Sequence, residues 1–220
     1  MGHVIAIDGP AGAGKSTIAR RLADKLGYIY IDTGAMYRAV ALWALREKID
    51  LDDAHRLEQL ARASEIELLP ERRVRLNRED VSEAIRTAEV SVAASRVAAI
   101  GALRAVLVAK QRHLAETTSV VMEGRDIGTV VFPNARVKIF LDADPAERVR
   151  RRTFEQTDAT PENLALQIAE RDDRDRHRAQ SPLIQAPDAV YIDSTGLTAE
   201  RVEEQILKII RARISNGKES

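Results

Sequence analysis

Short, unbroken apolar runs punctuate the chain, separated by longer stretches in which apolar residues return at helical spacing. HVIAID (3–8), YIYID (28–32), SVVMEG (119–124), RVKIFLD (136–142) and AVYID (189–193) have strand length and hardly alternate with polar residues. Such runs read as strands buried on both faces. Ile18, Leu22 and Leu26 share one face of a helix that Gly27 ends. Residues 35–47 read as a helix, and 88–116 as a long Ala-, Val- and Leu-rich helical stretch interrupted near Gly101. Asp144 as cap, Pro145 at the first helical position and Glu147 three residues after the cap open another helix. Thr160-Pro161-Glu162 repeats that grammar for a helix reaching about Arg178. Thr198 caps a last one, with Val202, Ile206, Ile209 and Ile210 on one face.

Residues 65–85 break this rhythm. IELL, Pro70-Glu71 and RRVRLN alternate as a small hairpin does, and EDVSEAIR follows, so the segment reads as a compact β insert. Strand followed by helix, with strands that do not alternate, predicts an α/β fold around a parallel sheet. No internal repeat or low-complexity tract is present, and the terminal SNGKES is expected to fray.

Composition narrows the function classes. The 220 residues suffice for one good core and a small appended lobe. Lys plus Arg and Asp plus Glu each number 34, so a global electrostatic case for nucleic-acid or membrane binding is absent and any cationic site is local. Aromatic residues at 4% also argue against single-strand stacking platforms. The absence of cysteine excludes disulfides and cysteine metal sites and fits a reducing compartment. No stretch approaches the ~20 apolar residues of a membrane span, and no basic n-region precedes the first strand. A cytoplasmic protein is expected, and a monomer, since no apolar stripe is left over.

The candidate chemistry begins at GPAGAGKST (9–17). Gly9, four residues, then Gly14-Lys15-Ser16 match the phosphate-loop spacing, with a strand before and a helix after. Glycines at 9, 12 and 14 let backbone N–H groups turn toward an anion, and the helix N-terminus adds its dipole. Residues Gly9, Pro10, Ala11, Gly12, Ala13, Gly14, Lys15, Ser16 and Thr17 are therefore read as a nucleoside triphosphate cradle. Lys15 faces the β and γ phosphates, Ser16 Oγ is the expected Mg²⁺ ligand, and Thr17 reaches the α phosphate. The loop says little about what happens to the phosphate. No guanine-reading N/T-K-x-D segment accompanies any of the lysines, which argues against a GTP switch. Glu123, closing a strand, leaves a hydrolytic ATPase open at this point.

Arginines away from the loop carry more information. DTGAMYR (32–38) places Thr33 and Arg38 just beyond the second strand, and EGRDIGTVVFP (123–133) places Arg125 and Asp126 beyond the third. Ligands of parallel sheets bind outside the carboxyl ends of the strands. ERDDRDRHR (170–178) puts Arg171, Arg174, Asp175 and Arg178 on one helical face. Alone, such a helix, or the RVRRR run at 148–152, is as readily a solvated ion-paired surface. Beside a phosphate loop the arginines fit phosphoryl transfer between two anions, where catalysis is mostly positioning and charge neutralisation.

GPAGAGKST, DTGAMYR, the Ser95–Arg104 helix, EGRDIGTVVFP, KIFLDA and ERDDRDR together resemble the nucleoside-monophosphate kinases of the bacterial cytidylate (CMP/dCMP) kinase family, from about residue 3 to 210. The resemblance implies a P-loop three-layer α/β/α fold with a five-stranded parallel sheet, a nucleoside-monophosphate lobe carrying the β insert, and a short helical lid. The core is then 1–32, 86–149 and 179–220, the lobe 33–85 and the lid 150–178. The implied reaction is ATP with CMP or dCMP giving ADP with CDP or dCDP, with Mg²⁺. The family pattern implies that Thr33, Ser95, Arg104 and Asp126 contact the cytosine or its surroundings. It assigns Arg38, Arg125 and Arg178 to the CMP phosphate, and Arg171 and Asp175 to the sugar and phosphate side. Lys15, with Arg151 and Arg152 of the lid, would stabilise the transferring phosphoryl group. Three positions depart from the pattern. Ser16 stands where Gly is common, which leaves direct Mg²⁺ coordination open. Thr33 replaces a common Ser, and Glu123 stands where Asp also occurs.

Overall fold

The computed structural model describes residues 2–155 and 160–215. The expected lid stretch at 156–159 and the tail beyond Ser215 lie outside the described residues. Along the chain run β1 (Val4–Asp8), α1 (Lys15–Leu26), β2 (Ile29–Asp32), α2 (Thr33–Arg46), α3 (Ala54–Ala63), β3 (Ile66–Leu69), β4 (Arg73–Leu76), β5 (Glu79–Asp80), α4 (Ala88–Val97), α5 (Gly101–Leu114), β6 (Val120–Gly124), β7 (Val137–Asp142), α6 (Pro145–Glu155), α7 (Pro161–His177), β8 (Val190–Asp193) and α8 (Ala199–Ser215). They divide into two compact units, Met1–Tyr30 with Ala115–Ser220, and Ile31–Leu114.

The first unit is organised by a five-stranded sheet in the order β2-β6-β1-β7-β8. β1 is central and runs parallel to β6 on one side and β7 on the other, and β7 is parallel to β8. This is the doubly flanked parallel sheet that the non-alternating runs predict. Ile5, Ile7, Val121, Ile139 and Leu141 are fully buried, with Leu22 of α1 and Ile206 of α8 packed into the same cluster. Register matters more than composition for the site. Asp8 lies opposite Gly124 in β6 and Phe140 in β7. The loop after β1, the turn after β6 and the segment after β7 therefore leave the sheet at one level. The caps read from sequence are in place: Asp144 Oδ1 accepts from Ala146 N at 2.8 Å, and Thr160 Oγ1 from Asn163 N at 3.3 Å. Gly27 closes α1 at φ 66°.

The second unit has its own core, in which Tyr37, Val40, Leu57, Val74, Leu76, Val90, Val97, Leu103 and Leu107 are buried together. The β insert is an antiparallel sheet β3-β4-β5, with Ile66 opposite Leu76 and Leu69 opposite Arg73. Asn77 and Arg78, at φ 50° and 71°, form the tight turn from β4 to β5. Residues 86–114, expected from sequence with the large sheet, group with this unit. The reason is packing: α4 and α5 bury apolar residues in the cluster that α2 and α3 share. The break expected near Gly101 is a bend of 101° between α4 and α5. α3 went unread in the sequence, although Asp53 caps it through Arg56 N at 3.0 Å and Leu57 and Ala61 give the spacing of a buried stripe. Among the described residues, no single helix is long and apolar enough to cross a membrane.

Candidate active site

The glycine loop joins β1 to α1. Gly9 passes so close to β7 that a Cβ there would lie 1.9 Å from the Leu141 carbonyl oxygen, at φ 149°. Gly14 begins α1 in a left-handed conformation, φ 91°. Lysine and arginine side chains hold the loop's carbonyls. Lys15 Nζ donates to Pro10 O at 2.6 Å, Arg148 Nη1 to Ala11 O at 3.1 Å, and Arg151 Nη1 to Ala13 O at 3.2 Å. With these carbonyls engaged, the first-turn N–H groups of α1, which have no intrahelical acceptor, are available to an anion. Lys15 is buried, and its pKa is pushed down to about 7 by that burial first and by Arg125 next, against Glu123.

Ser16 Oγ donates to Glu123 Oε2 at 3.0 Å, and the Tyr30 hydroxyl bonds the other oxygen of Glu123. Glu123 ends β6 one position before Gly124 and is 5% exposed. On the other side of β1's end, Asp8 accepts from Ile127 N and Gly128 N, both at 2.7 Å. Burial pushes the Asp8 carboxyl up to about 6 in spite of these two donors. The Asp8 bonds anchor a wide helical turn, Ile127–Val131, in which Val131 N and Phe132 N reach back five residues to Asp126 O and Ile127 O. Asp126, directly before this turn, is 5% exposed.

The arginine-rich helix is not a uniformly solvated surface. α7 turns Asp172 and Asp175 inward, leaves Asp173, Arg176 and His177 exposed, and keeps Arg171 half-buried. Arg174 sits at the edge, 3.8 Å from Glu170. Asp175 is the hub of the inner face. Arg125 Nε donates to it at 2.8 Å, and Arg178 Nη1 lies 3.7 Å from it. Burial alone would raise the Asp175 carboxyl, but Arg125, Arg171 and Arg178 outweigh it and hold it below the usual carboxylate range. Arg178 also lies 3.8 Å from Asp126 and bonds Ser181 O. The expected residues Arg125, Asp126, Arg171, Asp175 and Arg178 thus come together in one unit.

The second unit collects the other expected residues in two places. Asp32 caps α2 through Ala35 N at 3.0 Å and pairs with Arg38 at 2.8 Å; Thr33, beside it, is buried. Ser95 on α4 and Arg104 on α5 are both buried. Arg104 donates to Ala98 O at 3.1 Å and lies 5.3 Å from the centre of the Tyr37 ring.

A family model described as cytidylate kinase matches residues 5–212. The cytidylate kinase of Solibacter usitatus is 63% identical over 98% of this chain and 95% of its own. That of Desulforamulus reducens is 53% identical over 92% and 94%, and that of Bacillus subtilis 47% over 95% and 96%. This chain belongs to the cytidylate kinase family. Among solved structures, a gluconokinase from Sinorhizobium meliloti superposes with a TM-score of 0.53 at 15% identity, over 100% of this chain and 97% of that one, which shows the shared fold.

One feature of this cytidylate kinase family member went unread in its sequence. Arg148 and Asp172 form a buried pair against Ala11, with Asp172 Oδ1 accepting from Ala11 N at 3.4 Å. Their only signal was inward helical spacing within runs dense in charge. Arg151, expected among the lid arginines, contacts the phosphate loop. Its guanidinium binds Ala13 O, Ser194 Oγ at 2.9 Å and Ser194 O at 2.7 Å, and Nε binds Glu147 at 2.9 Å. It lies against the loop, 3.5 Å from where a side chain on Gly14 would begin. Arg152, one residue on, is half-buried. A hydroxyl and a carboxylate, Ser16 and Glu123, meet at the loop; both are the hard oxygen donors that Mg²⁺ takes beside phosphate. No cluster of three or more acidic, histidine or cysteine ligands exists among the described residues.

Proposed function

We propose that the protein transfers the γ-phosphoryl group of ATP to CMP and dCMP, yielding CDP and dCDP, in pyrimidine nucleotide metabolism. The observation that carries this reading is the grouping of Arg125, Arg171 and Arg178 about Asp175. It provides a second anion site in the unit that already holds the phosphate loop, as a kinase with a phosphate acceptor requires. The full-length similarity to proteins named cytidylate kinase supports the choice of acceptor.

Residues Gly9 to Thr17 hold the triphosphate, and Lys15 sets a cation against its β and γ oxygens. Arg38, Arg125 and Arg178 bind the CMP phosphate, with Arg171 and Asp175 on its sugar side. Asp32 pairs with Arg38, and Asp175 with Arg125. Thr33, Ser95, Arg104 and Asp126 read the base. Cytosine offers an N4 amino group beside N3 and O2; Asp126 accepts from the amino group, while Arg104 and a hydroxyl donate to the acceptors. Uracil would turn a carbonyl toward Asp126, and an unsatisfied buried contact costs about 1–3 kcal/mol. The attacking CMP phosphate oxygen is already ionised near neutral pH, its second pKa being about 6, so transfer is in line and needs no general base. Ser16 Oγ, beside Glu123, would hold Mg²⁺ next to the phosphates, and the ion would supply charge neutralisation on the donor. Arg151 and Arg152 add positive charge at the loop. The enzyme acts in the cytoplasm, as a monomer, without nucleic acid or membrane.

A coupled assay of ADP release with CMP, dCMP, UMP and AMP tests the reading. CMP and dCMP are expected to exceed UMP by about 10–100-fold in kcat/KM. ADP production indifferent to any nucleoside monophosphate would instead mark an ATPase and overturn it.

A further inference from the structure

Ala11 of the phosphate loop is gripped through both of its peptide groups. Its carbonyl accepts from Arg148 Nη1 at 3.1 Å, and its N–H points to Asp172 Oδ1 at 3.4 Å. The same Arg148 nitrogen bonds the second Asp172 oxygen, and Arg148 Nε reaches Ala143 O, just past β7, at 3.1 Å. The two side chains are 5% and 4% exposed. There is no slack on the loop side, because a Cβ at Gly12 would sit 3.0 Å from Arg148 Cβ.

Asp172 is on α7, directly after Arg171 and on the same inner face as Asp175. One rigid helix therefore carries both the grip on the donor loop and the side chains assigned to the acceptor. The ion pair by itself is a weak source of stability. Replacing a buried ion pair by apolar residues of similar volume is often neutral or stabilising, because two charges must be desolvated. What apolar residues cannot do is hold the carbonyl and the N–H of Ala11 at once. We infer that Arg148 and Asp172 are positioning residues that couple the donor-phosphate loop to the acceptor face of α7, so that nucleotide in one site tightens binding in the other. This rests on the reading of α7 as the CMP-phosphate helix.

The test measures CMP affinity for the full chain by calorimetry, with and without a non-hydrolysable ATP analogue and Mg²⁺. In the wild type the analogue is expected to tighten CMP binding at least about fivefold. In the double variant Arg148→Met/Asp172→Leu, the melting temperature falls by no more than the lost backbone bonds require, while in the folded protein the enhancement falls below about twofold. Arg148→Lys keeps the charge but not the fork that spans Ala11, Ala143 and Asp172; it folds if the double variant does not, and the same loss is expected. No enhancement in the wild type, or wild-type enhancement in a folded variant, overturns the inference. Failure of the function reading is distinguishable, since it appears as the absence of CMP-dependent ADP release from the wild type.

Discussion

The charge on Lys15 is opposed by its surroundings. It is buried beside the Arg125 and Arg171 fields, partly offset by Glu123 and Asp175, and its pKa lies near about 7. A bound triphosphate favours the charged form and raises that pKa. Above pH 7 binding must then take up a proton, and affinity falls as pH rises from about 7, by up to about tenfold per unit. Calorimetric titration of an ATP analogue in buffers of different ionisation heat should show this uptake, and Lys15→Arg should lack it. Asp126 offers a second residue-level prediction. An asparagine there can turn its amide donor toward the uracil carbonyl, so Asp126→Asn is expected to raise the kcat/KM ratio of UMP to CMP by at least about tenfold. An unchanged ratio in the coupled assay would remove Asp126 from base recognition.

At the scale of the element, α7 separates function from solvation by helical angle alone. Arg178 points to Asp175 and Asp126, while Arg176, two residues earlier, is exposed. Arg178→Ala is expected to raise KM for CMP by about 10–100-fold, leaving KM for ATP within about threefold, because a charge-assisted contact contributes about 1.5–3 kcal/mol. Arg176→Ala should change neither. Equal effects of the two substitutions in steady-state kinetics would return α7 to the solvated surface that its composition first allowed. The sequence placed Arg171, Asp175 and Arg178 on one face because helical periodicity is local. It left Asp172 unread because burial depends on what packs against the helix, and α6 supplies that neighbour.

Across the whole molecule, two separate apolar clusters support the chain. Leu107 is fully buried in the cluster of the second unit, with no route to solvent. Leu107→Ala is expected to destabilise by about 2–5 kcal/mol in chemical denaturation, with KM for ATP unchanged in the fraction that remains folded, since the phosphate loop belongs to the other unit. The assignment of α4 and α5 shows where reading by sequence stops. Their apolar faces are obvious along the chain, but an apolar face does not name its partner. Only the packing puts Val90, Val97, Leu103 and Leu107 in one cluster with α2 and α3.

The sequence by itself determined what depends on neighbours a few residues apart. The five strands of the large sheet, the caps at Asp144 and Thr160, the left-handed end at Gly27 and the phosphate loop all follow from local dihedral preferences and short-range hydrogen bonding. It also determined the family, whose motifs are contiguous. Tertiary structure alone decided which charges meet. Asp8 holds the turn after β6 from 119 residues away, Arg125 finds Asp175 across 50, and Arg148 and Asp172 close on Ala11 from two helices. Those encounters are set by sheet order and register, which bring the ends of β1, β6 and β7 to one level, and no local pattern encodes them.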